Sequence, residues 1–500
     1  MMLRAGAEYR EAMRDGRKVW VLGQGRVGDL TTHPATAAMV EEYVRWYDRH
    51  HDPEWRDVLF RPAAAGRPDI PWAYVLPKTS DDLIGMGRSY AATLFHSAGN
   101  ITHDPAYGNL IATGILTAVE EHGGSKEQIA AAASYRQTIA DTGRYLTFCG
   151  GAAPIGFRLR PNPGERAALR IVRETDAGVY LSGRLGMHTS PAYAEDIYIG
   201  PLSGVRIGED CATFVLPVGD PGVTTVCRKI ATRPSSRFSA PLSNRFDELD
   251  GLMWLDNVFV PWERVFLVGP SAETIVLWLL WHHLYGWLAK AEFALGLALA
   301  LADAMGLKEN EATIDYIVEV IADVQLVRSC LVAAERDPAY TKGGHCYPAY
   351  PLLMPGGLAM LRARQRITEI LRIVPGSSLV VAPTDRDLAA PEMAAGLEAA
   401  FGGGGYSAEQ RAALLQLAAD HVSSALDGRE SAFELHASGG VPVWRGRLRQ
   451  VFPSYNELAN AVLRAIHLPM PEIDVSGIGA RPLAPRRVNL APAAPSKSGD

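Results

Sequence analysis

The chain has 500 residues, 48% of them hydrophobic and 21% charged, with a formal net charge of −6. That length supports two or three folded units around a large core. The mildly acidic balance, with no basic stripe interleaved with aromatics, argues against nucleic acid or an anionic membrane surface as a partner. The five cysteines, Cys149, Cys211, Cys227, Cys330 and Cys346, form no CxxC pair. Their scatter argues against a disulfide framework or a cysteine-ligated metal and predicts reduced, buried thiols.

The first stretch, MMLRAGAEYREAMRDGRK, lacks the apolar centre of a secretory signal, so a cytoplasmic location is expected. Next comes VWVLGQGRVGDL, which carries Gly23-x-Gly25-x-x-Gly28, the spacing of a dinucleotide-binding turn. That turn needs a helix opening at its last glycines to meet a pyrophosphate. Here Asp29 to Thr32 favour turns, and Pro34 delays the helix. No run of strand–helix–strand units follows. A β-hairpin over 17–30 is the better reading.

From about residue 34 to 145, strings such as TAAMVEEYVRWYDRHH and SKEQIAAAASYRQTIADTGRYL show helical spacing of apolar residues. From about 150 to 268 the runs shorten and become β-like, as in ALRIVRETDAGVYLSGRLGM and GLMWLDNVFVPWERVFLV, with Gly, Pro, Asp and Asn between them. Helical patterns then return up to about 467. Within them, 275–306 is long and apolar enough to imitate a membrane span, but His282, His283, Lys290 and Glu292 interrupt it. A buried central helix fits better. The last residues, rich in Pro and Ala, predict a disordered tail.

The expected fold is therefore α+β, in three parts. An N-terminal helical domain spans 1–148, a central antiparallel β-barrel or sandwich 149–270, and a C-terminal helical bundle 271–478, followed by a tail over 479–500. The order resembles the acyl-CoA dehydrogenase fold.

Longer strings are more specific. PLSNRFDELDGLMWLDNVFVPWERVF, DGRKVWVLGQGRVGDLTTHPA, YDRHHDP, ETDAGVYLSG and DGRESAFELHASG occur in one order between about residues 10 and 440. Together they resemble the oxygenase components of the 4-hydroxyphenylacetate 3-monooxygenase family. The resemblance implies a two-component enzyme. A separate NAD(P)H:flavin reductase supplies FADH2 by diffusion, and this chain reacts it with O2. The C4a-hydroperoxyflavin so formed hydroxylates a small aromatic or heteroaromatic substrate. It also implies a homotetramer or homodimer, with no metal.

The family's substrate motif is Gly-Arg-[Ser/Thr]-Pro-Asp-Tyr, and here the matching string is THDPAY. Tyr107 keeps the tyrosine, and His103 stands where the arginine belongs. A family histidine after Thr-Gly-x-Tyr falls on Phe148 in TGRYLTFCGG. His103 and Tyr107 are thus the catalytic candidates. His103 would act as a cation or a hydrogen-bond partner; the alternative is a loop histidine facing solvent. Phe148 would form an apolar wall, and Leu202 and Ser203 complete the substrate set. The resemblance assigns flavin contacts to Phe148, Cys149, Gly150 and Gly151, to His188, Thr189 and Ser190 in MHTS, and to His436, Ala437, Ser438 and Gly439 in ELHASGG. Hydroxyl donors at Thr189 and Ser190 suit flavin N5 and O4. His282 and His283 point about 100° apart on a helix, so only one is expected to reach a site and a core role fits better.

Three rivals share the fold. One is a dehydratase using FAD and an iron–sulfur cluster, but no cysteine precedes Cys149 or lies within 275–306. The others are a flavin-dependent dehydrogenase or isomerase and a non-catalytic flavin binder.

Overall fold

The opening glycines build a sheet edge. Strands β1 (Lys18–Val21) and β2 (Gly25–Val27) pair antiparallel, Val19 opposite Val27 and Val21 opposite Gly25. Gly23 and Gly25 sit at φ +82° and +88°, where glycine carries no Cβ penalty. The next helix, α1 (Ala37–Asp48), begins well past Gly28, so no helix terminus faces the turn. The computed structural model describes residues 3–62, 69–151, 169–230, 236–269, 273–436, 440–451 and 455–463, with isolated positions beyond. The expected tail over 479–500 lies outside the described residues.

Three further helices make up the front. In α2 (Ser80–His96), Thr79 and Asp82 form a capping box. In α3 (Pro105–His122), Asp104 is the N-cap, Pro105 takes the first position, and Gly123 ends the helix at φ 84°. Helix α4 (Lys126–Thr142) starts at a Ser125–Gln128 box and stops at Gly143, φ 62°. Helix α3 is buried from Pro105 to Val119, which explains its nearly unbroken apolar sequence.

The middle contributes β3 (Leu146–Gly151), β4 (Arg170–Thr175), β5 (Gly178–Thr189), β6 (Asp196–Leu202), β7 (Arg206–Ile207), β8 (Asp210–Pro217), β9 (Val223–Cys227), β10 (Asp250–Pro261) and β11 (Val265–Val268). With the hairpin they form one eleven-stranded sheet, ordered β11-β8-β6-β3-β5-β10-β9-β1-β2, with β4 beside β5 and β7 beside β8. Most joins are antiparallel; β3–β6 and β1–β9 are parallel. The sheet is thus mixed, because both of those partners return after intervening chain rather than through a hairpin. Strands from both halves of the order share one apolar cluster, including Leu181, Ile199, Phe214, Met253 and Val260. The sheet therefore folds over its own core.

The back is built on α5 (Glu273–Ala304), which packs against α2, α3, α6 (Glu311–Arg336) and α7 (Tyr350–Ile373). Helix α5 is long and apolar enough to cross a membrane by length and composition, yet 67% of its most apolar window is buried inside the fold. Its Lys290 is buried too, within 2.7 Å of both Glu430 and Glu434, so the charge is met by protein. Glu430 and Glu434 lie on α8 (Ala425–His436).

Helix α3 meets the sheet at Gly108, where an added Cβ would lie 2.7 Å from the carbonyl oxygen of Leu146. Gly108→Ala will therefore destabilise the protein by about 1–2 kcal/mol, despite alanine's better helix propensity. Urea unfolding measures this, and an unchanged midpoint would show that α3 and β3 separate without cost.

Candidate functional site

Asp104 organises the first half of the site. Its Oδ1 accepts from the backbone N–H of Tyr107 at 3.0 Å, and its Oδ2 accepts from Trp46 Nε1 at 3.1 Å. His282 Nε2 of α5 lies 3.2 Å from Oδ1. The cap sets His103 and Tyr107 on either side of the helix start, and their rings meet edge to face with centroids 4.4 Å apart. His103 is only 5% exposed, so it is not a solvent-facing loop histidine.

Helix α5 adds two imidazoles, against the expectation that adjacent helical positions diverge too far. His283 stacks on Tyr107 at 5.3 Å and 24°, while His282 meets the same ring edge to face at 5.5 Å. Their divergence places both around one inserted ring. His283 also lies edge to face with His103 at 5.2 Å, and Phe433 of α8 packs on His103 at 6.1 Å.

Burial sets the charge of this cluster. It pushes His103 well below the ordinary imidazole range, helped by His283, His282 and Arg429. His283 is pushed down to about 3 by burial and by its histidine neighbour. Burial, with the Glu248 carboxyl, raises Tyr107. His103 and His283 are therefore neutral at neutral pH, and His103 is a hydrogen-bond partner rather than a cation. Thr102 Oγ1 stands 3.0 Å from its Nδ1.

The second half lies where β3 and β5 pair, Cys149 opposite His188. Strand alternation turns Cys149 into the core of the sheet and Phe148 toward the helical side. Phe148 packs on Tyr198 at 5.8 Å, and an added Cβ on Gly200 would come within 2.9 Å of its ring. The rings of His282, His283 and Phe433 from α5 and α8 wall His103 and Tyr107. Gly150 and Gly151 continue β3, with Gly151 opposite Leu202. Ser203 closes the following turn through its N–H to the Gly200 carbonyl, 3.1 Å. Burial pushes His188 down to about 4.

The hydroxyls of Thr189 and Ser190 are already engaged, contrary to their expected role as free donors. Thr189 Oγ1 donates to Asp250 Oδ1 at 3.0 Å and Ser190 Oγ to Glu248 Oε1 at 2.7 Å. Arg429 grips Asp250 with Nε at 2.8 Å and Nη2 at 2.7 Å. Against the opposing effect of burial, that guanidinium holds the Asp250 carboxyl below its usual range. His436 is exposed at the end of α8, away from these contacts. Ala437, Ser438 and Gly439 lie outside the described residues.

The two halves are joined by hydroxyls. Tyr43 OH lies 3.0 Å from the His103 carbonyl and 2.7 Å from Ser190 Oγ. Tyr145 OH donates to the same carbonyl. Among the described residues, Glu248 Oε2 and His282 Nδ1 are buried without a hydrogen-bond partner. Such atoms fit a site that a bound polar group completes.

Two family profiles cover nearly the whole chain: the 4-hydroxyphenylacetate 3-hydroxylase N-terminal domain over residues 5–267 and its C-terminal domain over 276–464. The chain belongs to the 4-hydroxyphenylacetate 3-hydroxylase family. It is 29% identical over 454 residues to the 4-hydroxyphenylacetate 3-monooxygenase oxygenase component of Thermus thermophilus, covering 87% of this chain and 91% of that one. It is 30% identical over 399 residues to the FADH(2)-dependent monooxygenase TftD of Burkholderia cepacia, covering 76% of each. The crystal structure of the oxygenase component of 4-hydroxyphenylacetate 3-monooxygenase complexed with FAD and 4-hydroxyphenylacetate superposes with TM-score 0.82 at 26% identity, over 92% of this chain and 98% of that one.

The polar side chains at this junction that sequence reasoning missed are Tyr43, Tyr145, Glu248, Asp250 and Arg429. The signal was present: three carboxylates within RFDELDG and an arginine within DGRESAF, both inside strings that carry the resemblance.

Burial of uncharged histidines has a measurable consequence for this family member. His50 and His188 are pushed down from 6.5 to about 4, and His283 and His421 to about 3, each chiefly by burial. Below about pH 6.5 the unfolded chain takes up protons that the native state refuses. Stability is thus full above that pH and falls as pH drops, by up to about 1.4 kcal/mol per pH unit for each histidine. Urea unfolding at about pH 7.5 and about pH 5.5 measures the slope; equal midpoints would contradict the buried neutral state.

Proposed function

We propose that this chain is the oxygenase component of a two-component flavin monooxygenase, taking FADH2 from a separate reductase and O2 to hydroxylate an uncharged aromatic or heteroaromatic substrate. The observation that carries the reading is the buried cluster of His103, Tyr107, His282 and His283, tied through the His103 carbonyl to the strand end that bears Thr189 and Ser190. When bound, the reduced flavin supplies activation of O2 and delivery of one oxygen atom. The backbone of Gly150, Gly151, His188, Thr189 and Ser190 would hold it, since glycines allow close approach and both hydroxyls face carboxylates.

Tyr107 and the imidazoles orient the substrate. The raised pKa of Tyr107 keeps its hydroxyl a donor. The neutral imidazoles of His103 and His283 can accept a proton from a phenolic O–H or a ring N–H as the ring is attacked. Burial keeps water away, as oxygen transfer to an organic substrate requires. Arg429, which faces His103, is engaged with Asp250 and Glu430 rather than open to a substrate carboxylate.

The test mixes the protein anaerobically with FADH2 and a panel of neutral phenols, then adds O2. The expected result is a delayed return of oxidised-flavin absorbance together with a product heavier by one oxygen atom in mass spectrometry. Immediate reoxidation with peroxide release across the whole panel would overturn the reading. Tyr107→Phe and His103→Ala should each lower product formation by about 100-fold with folding intact. Unchanged turnover would mean that the pocket is elsewhere.

An exposed apolar stripe on helix α6 supports assembly into a homodimer or homotetramer. Ile314, Val318 and Ile321 lie at i, i+4 and i+7 and are 40%, 53% and 37% exposed. An apolar stripe on an outer helix is the mark of a surface that a second copy covers. Light scattering of the wild type should give a multiple of the chain mass, and Val318→Glu should shift it toward the monomer. A monomeric wild type would refute this assignment.

A further inference from the structure

We propose that Glu248 is a positioning residue that locks the strand end bearing Thr189 and Ser190 to the loop bearing His103, so that the two halves of the site move as one. Only the naming of those halves as flavin-side and substrate-side rests on the proposed function.

The geometry carries the argument. Glu248 is wholly buried, and its Oε1 accepts from Ser190 Oγ at 2.7 Å and from Tyr43 OH at 3.1 Å. The same Tyr43 hydroxyl stands 3.0 Å from the His103 carbonyl, so its single proton is shared between that carbonyl and Glu248 Oε1, and Tyr145 OH donates to the carbonyl. Glu248 is thus two hydrogen bonds from the substrate loop and one from the strand end. Ser190 sits at φ +58°, a left-handed conformation that a non-glycine residue keeps only where its surroundings enforce it. The enforcing contacts are the Glu248 carboxyl and the carbonyl of its neighbour Leu249, which accepts from Ser190 N–H at 3.0 Å.

Fold stability alone does not account for this carboxyl. Its Oε2 has no hydrogen-bond partner among the described residues, and Arg429 Nη2 stands 4.0 Å away while bonded to Asp250. A buried, incompletely matched charge is a poor stabiliser compared with an apolar side chain of similar volume. Its groups do what an apolar residue cannot: they accept hydroxyl protons from two elements at once.

The same surroundings make the lock sensitive to pH. Facing the carboxyl are Arg429 and Glu430 from α8, Asp250 from β10, Tyr43 from α1, Tyr107 from α3, and Tyr145 and Ser190. Burial, moderated by Arg429 and Ser190, pushes it up to about 7. The ionised form, the stronger acceptor, gains as pH rises through neutrality, so the lock tightens in that direction.

Hydrogen–deuterium exchange on the protein without flavin or substrate tests the proposal, comparing wild type, Glu248→Gln, Tyr43→Phe and the double variant. Amides in segments 100–107 and 188–194 should exchange faster together, by about tenfold, in each single variant. The double variant should be no faster than the faster single one, because both changes cut the same connection. Loosening of one segment while the other keeps wild-type protection, or additive effects in the double variant, would overturn the proposal. If Glu248→Gln fails to fold, Tyr43→Phe, which removes one hydroxyl, still reports whether the segments loosen together. With substrate, the wild-type rate should rise with pH around neutrality and Glu248→Gln should flatten that rise; a merely structural role would leave the profile's shape unchanged. Exchange is read without turnover, so failure of the oxygenase reading leaves this test standing. An active wild type whose segments loosen independently would keep that reading and remove the lock.

Discussion

One buried carboxylate holds the front of the molecule to its centre. Asp104 caps α3, accepts from Trp46 on α1, and lies against His282 on α5. Three helices from distant parts of the sequence therefore share a fixed point at the position where His103 and Tyr107 must be aimed. A cap on an exposed helix is worth about 1 kcal/mol. Here the same carboxylate sits between three elements, so its loss would disturb the direction of the cluster as well as the helix end.

Charge is managed differently on the two sides of that point. Around Tyr107 the imidazoles of His103 and His283 stay neutral because burial makes protonation costly. A short distance away, ionised groups are kept in pairs: Arg429 with Asp250, and Lys290 and Arg364 with Glu434, whose carboxyl they hold at about 2 against the opposing effect of burial. The two regions meet at Phe433, whose ring packs on His103 and carries the Arg429 guanidinium 4.5 Å from its centroid. A water-poor pocket thus stands beside a rigid ionic frame.

Much of this was legible in the sequence where local rules decide the outcome. Asp104-Pro105 and Gly123 mark the limits of α3, and the glycines after Val21 mark a hairpin, because caps and left-handed turns depend on single residues. The identity of α5 as a core helix was readable from its length and its scattered charges. Tertiary closure was less legible. Phe148 follows the Thr-Gly-x-Tyr element, but strand alternation sends it toward Tyr198, and α5 supplies the imidazoles instead. The engagement of Thr189 and Ser190 by Asp250 and Glu248 joins residues about sixty positions apart. No local pattern encodes such a meeting; only the pairing of β5 with β10 brings it about.

The departures from the family's substrate residues then have a coherent physical meaning. An arginine beside a phenol lowers its pKa and binds the phenolate before oxygen arrives. His103, neutral and packed on Tyr107, offers no such charge. On the reading proposed above, a substrate beside His103 would keep its proton until the ring is attacked, and His103 or His283 would take it as positive charge develops. Substrates already electron-rich in their neutral form meet that demand, and anionic ones meet only the desolvation cost of entering. On that reading, His103 in place of the family's arginine would move the control of reactivity from the binding of an anion to the intrinsic electron density of a neutral ring.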